Sequence, residues 1–275
     1  MPSDPNDSVS AMILRRITQH VQAQNWFAVA LDFVIVVIGV GVAMIGQQWL
    51  SDRQQRADMA VAEAALQADL FTNYTNAKER LAVANCRAET YQAIAAKLLA
   101  EGDNWTGIAR AADENSFRGA LPVVLRSPHR NWGSRTWKAE LGRGTFNQMT
   151  DERRQALDGM FKQADDAELL QADIFALQGR LKILAVDTTI SRSDRLRYYD
   201  MLAEMDDKSG LLEIVAEQIS QSIEEIGIEI PAEERARISE GYASQLEVAK
   251  KIYGACYRPQ ELPVLDAYPE KARTT

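Results

Sequence analysis

An unbroken apolar run near the N-terminus restricts the fold of this chain more than any other feature. Residues 26–50 read WFAVALDFVIVVIGVGVAMIGQQWL, and only Asp32 is charged between Phe27 and Gly46. A helix rises about 1.5 Å per residue, so this stretch would measure about 30 Å, the thickness of a bilayer's hydrocarbon core. The sequence therefore predicts a single-pass transmembrane helix over residues 26–50.

Two other interpretations of the run are less consistent with its length. A buried core helix of a water-soluble protein seldom continues this far without a polar face. A cleaved signal peptide has an apolar core of about 7–15 residues before a small-x-small cleavage site. The exit IGQQW, residues 45–49, lacks such a site. We expect the helix to be retained as a signal anchor, with Trp26 and Trp49 at the two membrane interfaces.

One face of this predicted helix carries small residues and the lone acid. The face, called here the Asp32 stripe, consists of Asp32, Val36, Gly39, Ala43 and Gly46. Its alternating spacings of four and three are those of a left-handed helix pair, and small residues allow close backbone approach. The stripe predicts association with a second copy or with another membrane protein. The alternative is that glycine is common in membrane helices and that Asp32 extends towards the near interface.

The same segment resembles a known signature. Residues 32–49, DFVIVVIGVGVAMIGQQW, are similar to the membrane segment of a broad group of single-pass bacterial proteins catalogued as a domain of unknown function. That signature has an acidic residue, V-V-I-G, an alanine four residues after the glycine and a tryptophan six residues later. Asp32, Gly39, Ala43 and Trp49 occupy these places. The resemblance implies a bacterial source and a tethered helical domain, and it implies no activity.

This sequence departs from the signature at a few places. The acid is typically Glu rather than Asp, and Ile45 stands where Gln is common. Gln47 and Gln48 stand where Asn is usual. A weaker similarity covers the stretches WKAELGRG, residues 137–144, and TDERRQAL, residues 150–157.

Beyond the anchor, helical periodicity dominates and no strand-like alternation does. Apolar residues recur at spacings of three, four and seven after residue 60: Leu66, Leu70, Ala77, Leu81, Ala84, Ala88, Tyr91, Ile94 and Leu98. Neither Pro nor Gly interrupts residues 47–101, so the helix should continue from the anchor to about residue 100. It is either a rigid stalk or the first helix of a bundle, and we favour the bundle.

The remaining pattern completes an all-α prediction. Residues 103–149 are punctuated by Pro and Gly and contain Trp105, Trp132 and Trp137, which indicates a recognition surface or, as we favour, a loop packed onto the bundle. Further helices are predicted to begin at caps Thr150 and Ser193, at residue 210 and at Pro231, and to end near residues 186, 205, 226 and 258. In the last helix, we expect Leu246, Ala249, Ile252 and Tyr253 to point inward. The predicted organisation is a tail over residues 1–25 with an amphipathic stretch, the anchor, a helical domain over 51–258 and an extended tail over 259–275.

Charge and cysteine content bear on the compartment and the partners. The net charge is −8 and the pI about 5.0, so the chain lacks the basic face that nucleic acid binding needs. Cys86 and Cys256 are either a disulfide formed in an oxidising compartment or two unrelated buried thiols. Basic residues flank the anchor equally on both sides. The amphipathic N-terminal stretch and the even number of cysteines favour a cytoplasmic N-terminus and a periplasmic domain at the bacterial inner membrane.

No catalytic constellation is evident in the sequence. The region after the anchor has a single histidine, His129, no nucleophile-elbow spacing and no cluster of zinc ligands. Adjacent acids such as Glu224-Glu225 point apart on a helix. We therefore predict a protein without cofactor, metal or enzymatic activity, a scaffold or accessory protein that acts through protein partners. The alternative is a sensor-type bundle that binds a ligand near His129, Trp132 and Trp137.

Overall fold

The computed structural model describes residues 26–108, 125, 130–228, 230 and 232–266. Almost all of this part is helical, which confirms the all-α prediction. The helices are α1 (Trp26–Ala82), α2 (Ala84–Leu99), α3 (Arg135–Arg143), α4 (Asp151–Leu181), α5 (Arg192–Ile226), α6 (Ala232–Tyr253) and the single turn α7 (Pro263–Asp266). Short 3-10 turns cover Thr145–Gln148, Lys182–Ala185 and Gly254–Cys256. Strands β1 (Asn104–Trp105) and β2 (Thr188–Thr189) pair antiparallel, with Trp105 opposite Thr188.

The chain divides into two compact units, residues 1–58 and 59–275. In the first unit, the described residues form the apolar part of α1, and side chains such as Phe27 and Ile45 are 75% and 71% exposed. This helix is long and apolar enough to cross a membrane, and its most apolar window is 0% buried. A core helix of a soluble protein would instead be covered by the rest of its own chain.

The second unit is a helical bundle built on α1, α2, α4 and α5. The later part of α1 contributes one buried apolar residue per turn: Ala62, Leu66, Leu70, Tyr74 and Ala77. Helices α4 and α5 run antiparallel, since Gln163 bonds Gln218 at one level and Lys208 pairs with Asp173 at another. Because this packing buries an apolar stripe from each helix, α1 is the first helix of a bundle, as the favoured prediction states.

Helix starts follow local capping chemistry, with one correction. The hydroxyl of Thr150 accepts a hydrogen bond from the Arg153 amide at 3.3 Å and begins α4 as predicted. Helix α5, however, begins at Ser191 rather than at Ser193, since the Ser191 hydroxyl accepts from the Asp194 amide at 3.2 Å. The expected boundary at residue 210 is also wrong, because Gly210 lies inside α5. Gly costs about 1 kcal/mol in a helix, and the burial of flanking apolar residues such as Leu212 outweighs that cost.

The predicted continuous helix to residue 100 is interrupted at Val83, which separates α1 from α2 with φ −100° and ψ 0°. No local signal causes this break. The Ala82 carbonyl accepts a hydrogen bond from the backbone amide of Arg258 at 2.9 Å, instead of one that continues the helix. Ala82 and Val83 are buried in one cluster with Tyr257. The break, called here the α1–α2 junction, is therefore imposed by the C-terminal segment.

The C-terminal segment also differs from the extended tail that was predicted. Pro263–Asp266 form a turn of helix, and Leu262 is buried in the main core. Pro231 lies outside the described residues, and α6 begins at Ala232. Leu246, Ala249 and Tyr253 are half-buried as expected, but Ile252 is 53% exposed and does not point inward.

Candidate interaction site

All five residues of the Asp32 stripe lie on α1 and are exposed, with Val36 at 61%. A Cβ atom added to Gly39 or Gly46 would meet no atom within 4 Å. The stripe is therefore open to close approach by another helix. Trp49, which the sequence predicts at a membrane interface, is 59% exposed, and the Arg53 guanidinium lies 5.8 Å from its ring centre. The side chain of Trp26 lies outside the described part.

The three tryptophans of the irregular region are buried. Trp105, Trp132 and Trp137 are 3%, 7% and 2% exposed. Trp137 stacks on Phe146 and Phe161, with ring centres 5.3 and 5.7 Å apart. These indoles therefore pack the irregular region onto the bundle, as the favoured loop interpretation expects, and offer no recognition surface. His129 lies outside the described residues.

A groove that the sequence did not indicate lies between α1 and α6. This tyrosine groove has a volume of about 560 Å³. Its walls are Thr75, Asn76 and Glu79 of α1, then Arg130, and from α6 onwards Tyr242, Ser244, Leu246, Val248, Ala249, Ile252, Tyr253 and Tyr257. Val248 and Ile252 are each 53% exposed at this groove. The sequence marked one wall of the groove as an apolar face of the last helix, Leu246, Ala249, Ile252 and Tyr253, but did not indicate a groove there.

The polar groups of the tyrosine groove are suited to binding rather than to reaction. Arg130 donates two hydrogen bonds of 2.6 Å to the Glu79 carboxylate, and these raise the Arg130 pKa. Burial raises the pKa of Tyr242 to about 12 and also raises the pKa values of Tyr253 and Tyr257. The phenols therefore stay neutral at physiological pH. They present aromatic faces and hydroxyls, and no activated nucleophile.

A second unpredicted feature is a buried arginine cluster beside the α1–α2 junction. Arg87 donates to Glu213 through Nε at 2.7 Å and through Nη2 at 3.0 Å, and it also pairs with Asp206. Its guanidinium lies 5.3 Å from the ring centre of Tyr91. Burial alone would lower the Arg87 pKa, but the hydrogen bond and charge of Glu213 outweigh it, so the net shift is upward.

Arg80 differs from Arg87 because no ion pair joins it to a carboxylate among the described residues, although the charge of Glu213 still acts on it. The residue is 4% exposed, and its Nη2 has no hydrogen-bond partner within the part of the chain that the structure describes. Burial lowers the Arg80 pKa, since desolvation disfavours its charge. The cluster thus holds a guanidinium whose charge is poorly compensated. A buried cation with an unsatisfied hydrogen-bond donor destabilises the folded state.

Cys86 and Cys256 form a disulfide, with their Cα atoms 4.9 Å apart across a sequence separation of 170. The bond joins the first turn of α2 to the 3-10 turn that follows α6. It therefore ties the α2 side of the α1–α2 junction to the chain that follows α6, a pairing that the sequence left open.

Acidic side chains elsewhere in the bundle serve the fold. The Tyr74 hydroxyl donates to Glu224 at 2.8 Å, and Lys78 pairs with the same oxygen at 2.9 Å. Asp165 accepts from Ser134 at 2.6 Å and pairs with Lys138. Within the described ranges, no group of three or more His, Cys, Asp or Glu side chains could hold a metal ion.

Comparison of the chain with protein-family models, curated proteins and solved structures finds no match. The resemblance of residues 32–49 to single-pass bacterial membrane proteins stays a prediction.

Proposed function

We propose that this protein is a membrane-anchored interaction protein, a scaffold or accessory factor of a bacterial inner membrane whose bundle lies in the periplasm. The observation that carries the proposal is the division of α1. This single helix of 57 residues exposes an apolar surface along its first part and supplies core residues of a bundle along its later part. A helix of this kind tethers a folded domain to lipid.

The Asp32 stripe supports association within the bilayer. A carboxylate in an apolar helix is costly against lipid and is stabilised when it faces another helix. Gly39 and Gly46 leave room on the same face for a close neighbour. We propose that this face pairs with a second copy or with another membrane protein.

The placement of the bundle is supported by its disulfide and its charge. Disulfides persist in the periplasm and are rare in the reducing cytosol, which favours export of the part that contains Cys86 and Cys256. A chain of net charge −8 is also repelled by anionic lipid headgroups. The bundle would then work on soluble or membrane partners rather than on the lipid surface.

Lysine-reactive crosslinking in native membranes tests the proposed association. Gly39→Leu and Asp32→Leu should each reduce the crosslinked species several-fold, since one blocks close approach and the other removes the acid of the stripe. Gly41→Leu is the matched control, because the same change falls on the opposite side of the helix and also meets no atom within 4 Å. Monomer in every sample, or an equal loss with Gly41→Leu, would contradict the proposal.

A ligand-binding bundle is the second candidate, and the tyrosine groove is the observation that favours it. A groove of about 560 Å³ lined by tyrosines falls in the size range of small-molecule sites. A thermal-shift screen should then find a compound that stabilises the protein. Its effect should disappear in Ile252→Asp, which changes an exposed side chain of the groove. A broad screen without any stabiliser would count against this candidate.

A further inference from the structure

Helix α6 is attached to the bundle more weakly than the other long helices. None of its described side chains is fully buried, whereas α4 and α5 bury residues such as Ile174, Leu212 and Ile219 at 0–1% exposure. Ile238 and Tyr242 only pack against the edge of the main core. The apolar burial available to hold α6 is correspondingly small.

The C-terminal end of α6 is held instead by three links at the α1–α2 junction. The Cys86–Cys256 disulfide is covalent. The Arg258 amide donates to the Ala82 carbonyl at 2.9 Å, and Tyr257 packs on Ala82. The disulfide holds the chain at Cys256, immediately before Tyr257 and Arg258, which make the other two links. At this end of α6, removing the disulfide leaves one backbone hydrogen bond and a small apolar cluster, while Leu262, further along the chain, stays buried in the main core.

A buried charge beneath this end of α6 opposes its attachment. Arg80 has an unpartnered Nη2 in the described part, and the Tyr253 phenol at the end of α6 lies within its electrostatic range. Moving α6 away would return the Arg80 guanidinium to water. Because solvation of a buried, incompletely hydrogen-bonded cation is strongly favourable, the position of α6 over Arg80 depends on the links that hold its C-terminal end.

We infer that the Cys86–Cys256 disulfide is a redox-sensitive latch that holds α6 over Arg80 and so maintains the tyrosine groove. With the bond intact, α6 forms one wall of the groove. With the bond reduced, the C-terminal end of α6 and residues 254–258 leave the α1–α2 junction, and the groove is lost. The core between α1, α2, α4 and α5 does not depend on α6 and stays folded.

The chemical step is thiol–disulfide exchange with a dithiol reductant. A thiolate of the dithiol attacks one sulfur of the Cys86–Cys256 bond, and the other cysteine leaves as a thiolate. The second thiol of the reductant then displaces the first cysteine. Two electrons and two protons pass to the protein, which ends with two thiols, while the dithiol ends as its own disulfide.

Hydrogen–deuterium exchange on the full-length protein in detergent micelles tests the latch. The chain has two cysteines, so dithiothreitol can break no other disulfide within it. Reduction should accelerate exchange of the α6 amides by about tenfold or more while α4 and α5 keep their protection. Unchanged protection of α6 would overturn the inference. Equal acceleration in α4 and α5 would also overturn it, since the bond would then be a staple of the whole domain.

Two variants separate the latch from a side effect of the reductant. The double variant Cys86→Ser with Cys256→Ser should show fast α6 exchange without reductant, and a protected α6 there would refute the latch. Arg80→Met removes the buried charge, so its reduced form should exchange several-fold more slowly in α6 than the reduced wild type. Arg180→Met is the control, because Arg180 is an exposed residue at the end of α4. Equal α6 exchange rates in reduced Arg80→Met and reduced wild type would remove Arg80 as the driving charge.

Discussion

The Glu224 carboxylate on α5 links this helix to α1, and the link depends on the carboxylate being ionised. It accepts a hydrogen bond from the fully buried Tyr74 and pairs with Lys78, both on α1. Burial alone would raise the Glu224 pKa, but the hydrogen bonds from Lys78 and Tyr74 outweigh it and leave the pKa below its ordinary value of 4.5. Burial, and then the hydrogen bond to Glu224 and its charge, raise the Tyr74 pKa. The folded state therefore binds this proton more weakly than the unfolded state does.

The sign of that shift predicts a pH dependence of stability. The Glu224 contribution is present above pH 4.5, the ordinary pKa, and is lost as the pH falls through the lower pKa of the folded state. Glu224→Gln should cost about 1 kcal/mol near pH 7, a modest value because the carboxylate is 33% exposed and screened. Urea unfolding should show the gap to wild type closing at acid pH. A gap independent of pH, or an equal gap for the exposed neighbour Glu225→Gln, would contradict this.

Arg87 belongs to a more deeply buried pair, and its removal should cost more. Its partner Glu213 has a side chain only 16% exposed, so Arg87→Met leaves a poorly solvated carboxylate without its counter-charge. We expect a loss of about 3–5 kcal/mol in the free energy of unfolding, with partial recovery in the double variant Arg87→Met with Glu213→Leu. Arg143→Met is the control, since Arg143 is 72% exposed in its pair with Glu140. Similar losses for Arg87→Met and Arg143→Met would argue against a buried pair.

At the scale of helices, the beginning of α5 illustrates how neighbouring candidates for a cap are distinguished. Ser191 has an extended backbone, with φ −63° and ψ 159°, and its hydroxyl accepts from the Asp194 amide. Ser193 lies inside the first turn, so its hydroxyl is not placed to satisfy a free amide of that turn. The Ser193 hydroxyl instead contacts that of Ser191 at 2.9 Å.

Alanine substitution should separate these two serines. Ser191→Ala should lower the free energy of unfolding by about 1 kcal/mol, the usual cost of a lost N-cap. Ser193→Ala should lower it by only a few tenths, since it removes a contact with the cap and not the cap itself. Denaturant melts of the two variants at one pH provide the measurement. A larger loss for Ser193→Ala would place the start of α5 differently.

At the scale of the whole molecule, the exposed apolar part of α1 predicts how the protein fractionates. The full chain should stay with membranes during carbonate washing, because only lipid would cover that surface. Replacing Val37 and Ile38 together by Arg should move the protein towards the aqueous fraction, since each charge at a helix centre costs about 2.5–3.5 kcal/mol. Wild-type protein in the aqueous fraction would contradict the proposed anchor.

The compartment of the bundle can be tested by a topology reporter fused after Thr275. A phosphatase that is active only in the periplasm should be active in this fusion, and a cytoplasmic fluorescent reporter should be dark. The same cells should yield Cys86 and Cys256 protected from thiol labelling until a reductant is added. An active cytoplasmic reporter would reverse the proposed orientation.

The sequence by itself determined the features that depend on residues close together in the chain. The apolar run over residues 27–46 indicates a membrane-length helix because hydropathy and length suffice for that inference. Thr150 followed by Asp151 and Glu152 predicts a helix start because a cap acts within one turn. Helical periodicity after residue 60 predicts an α-helical bundle, because the spacing of apolar residues within a few turns defines a helix face. All of these properties need no knowledge of distant contacts.

Only the tertiary structure decided the features that distant segments impose. Residues 47–101 contain neither Pro nor Gly, yet the helix breaks at Val83, where Arg258 bonds the Ala82 carbonyl. Gly210 continues a helix that its local propensity would interrupt, because flanking side chains are buried. The disulfide across a separation of 170 residues likewise arises from packing, as does the buried Nη2 of Arg80, which has no hydrogen-bond partner among the described residues. Contact energies between remote segments exceed local preferences of about 1 kcal/mol, and those contacts cannot be seen in a linear pattern.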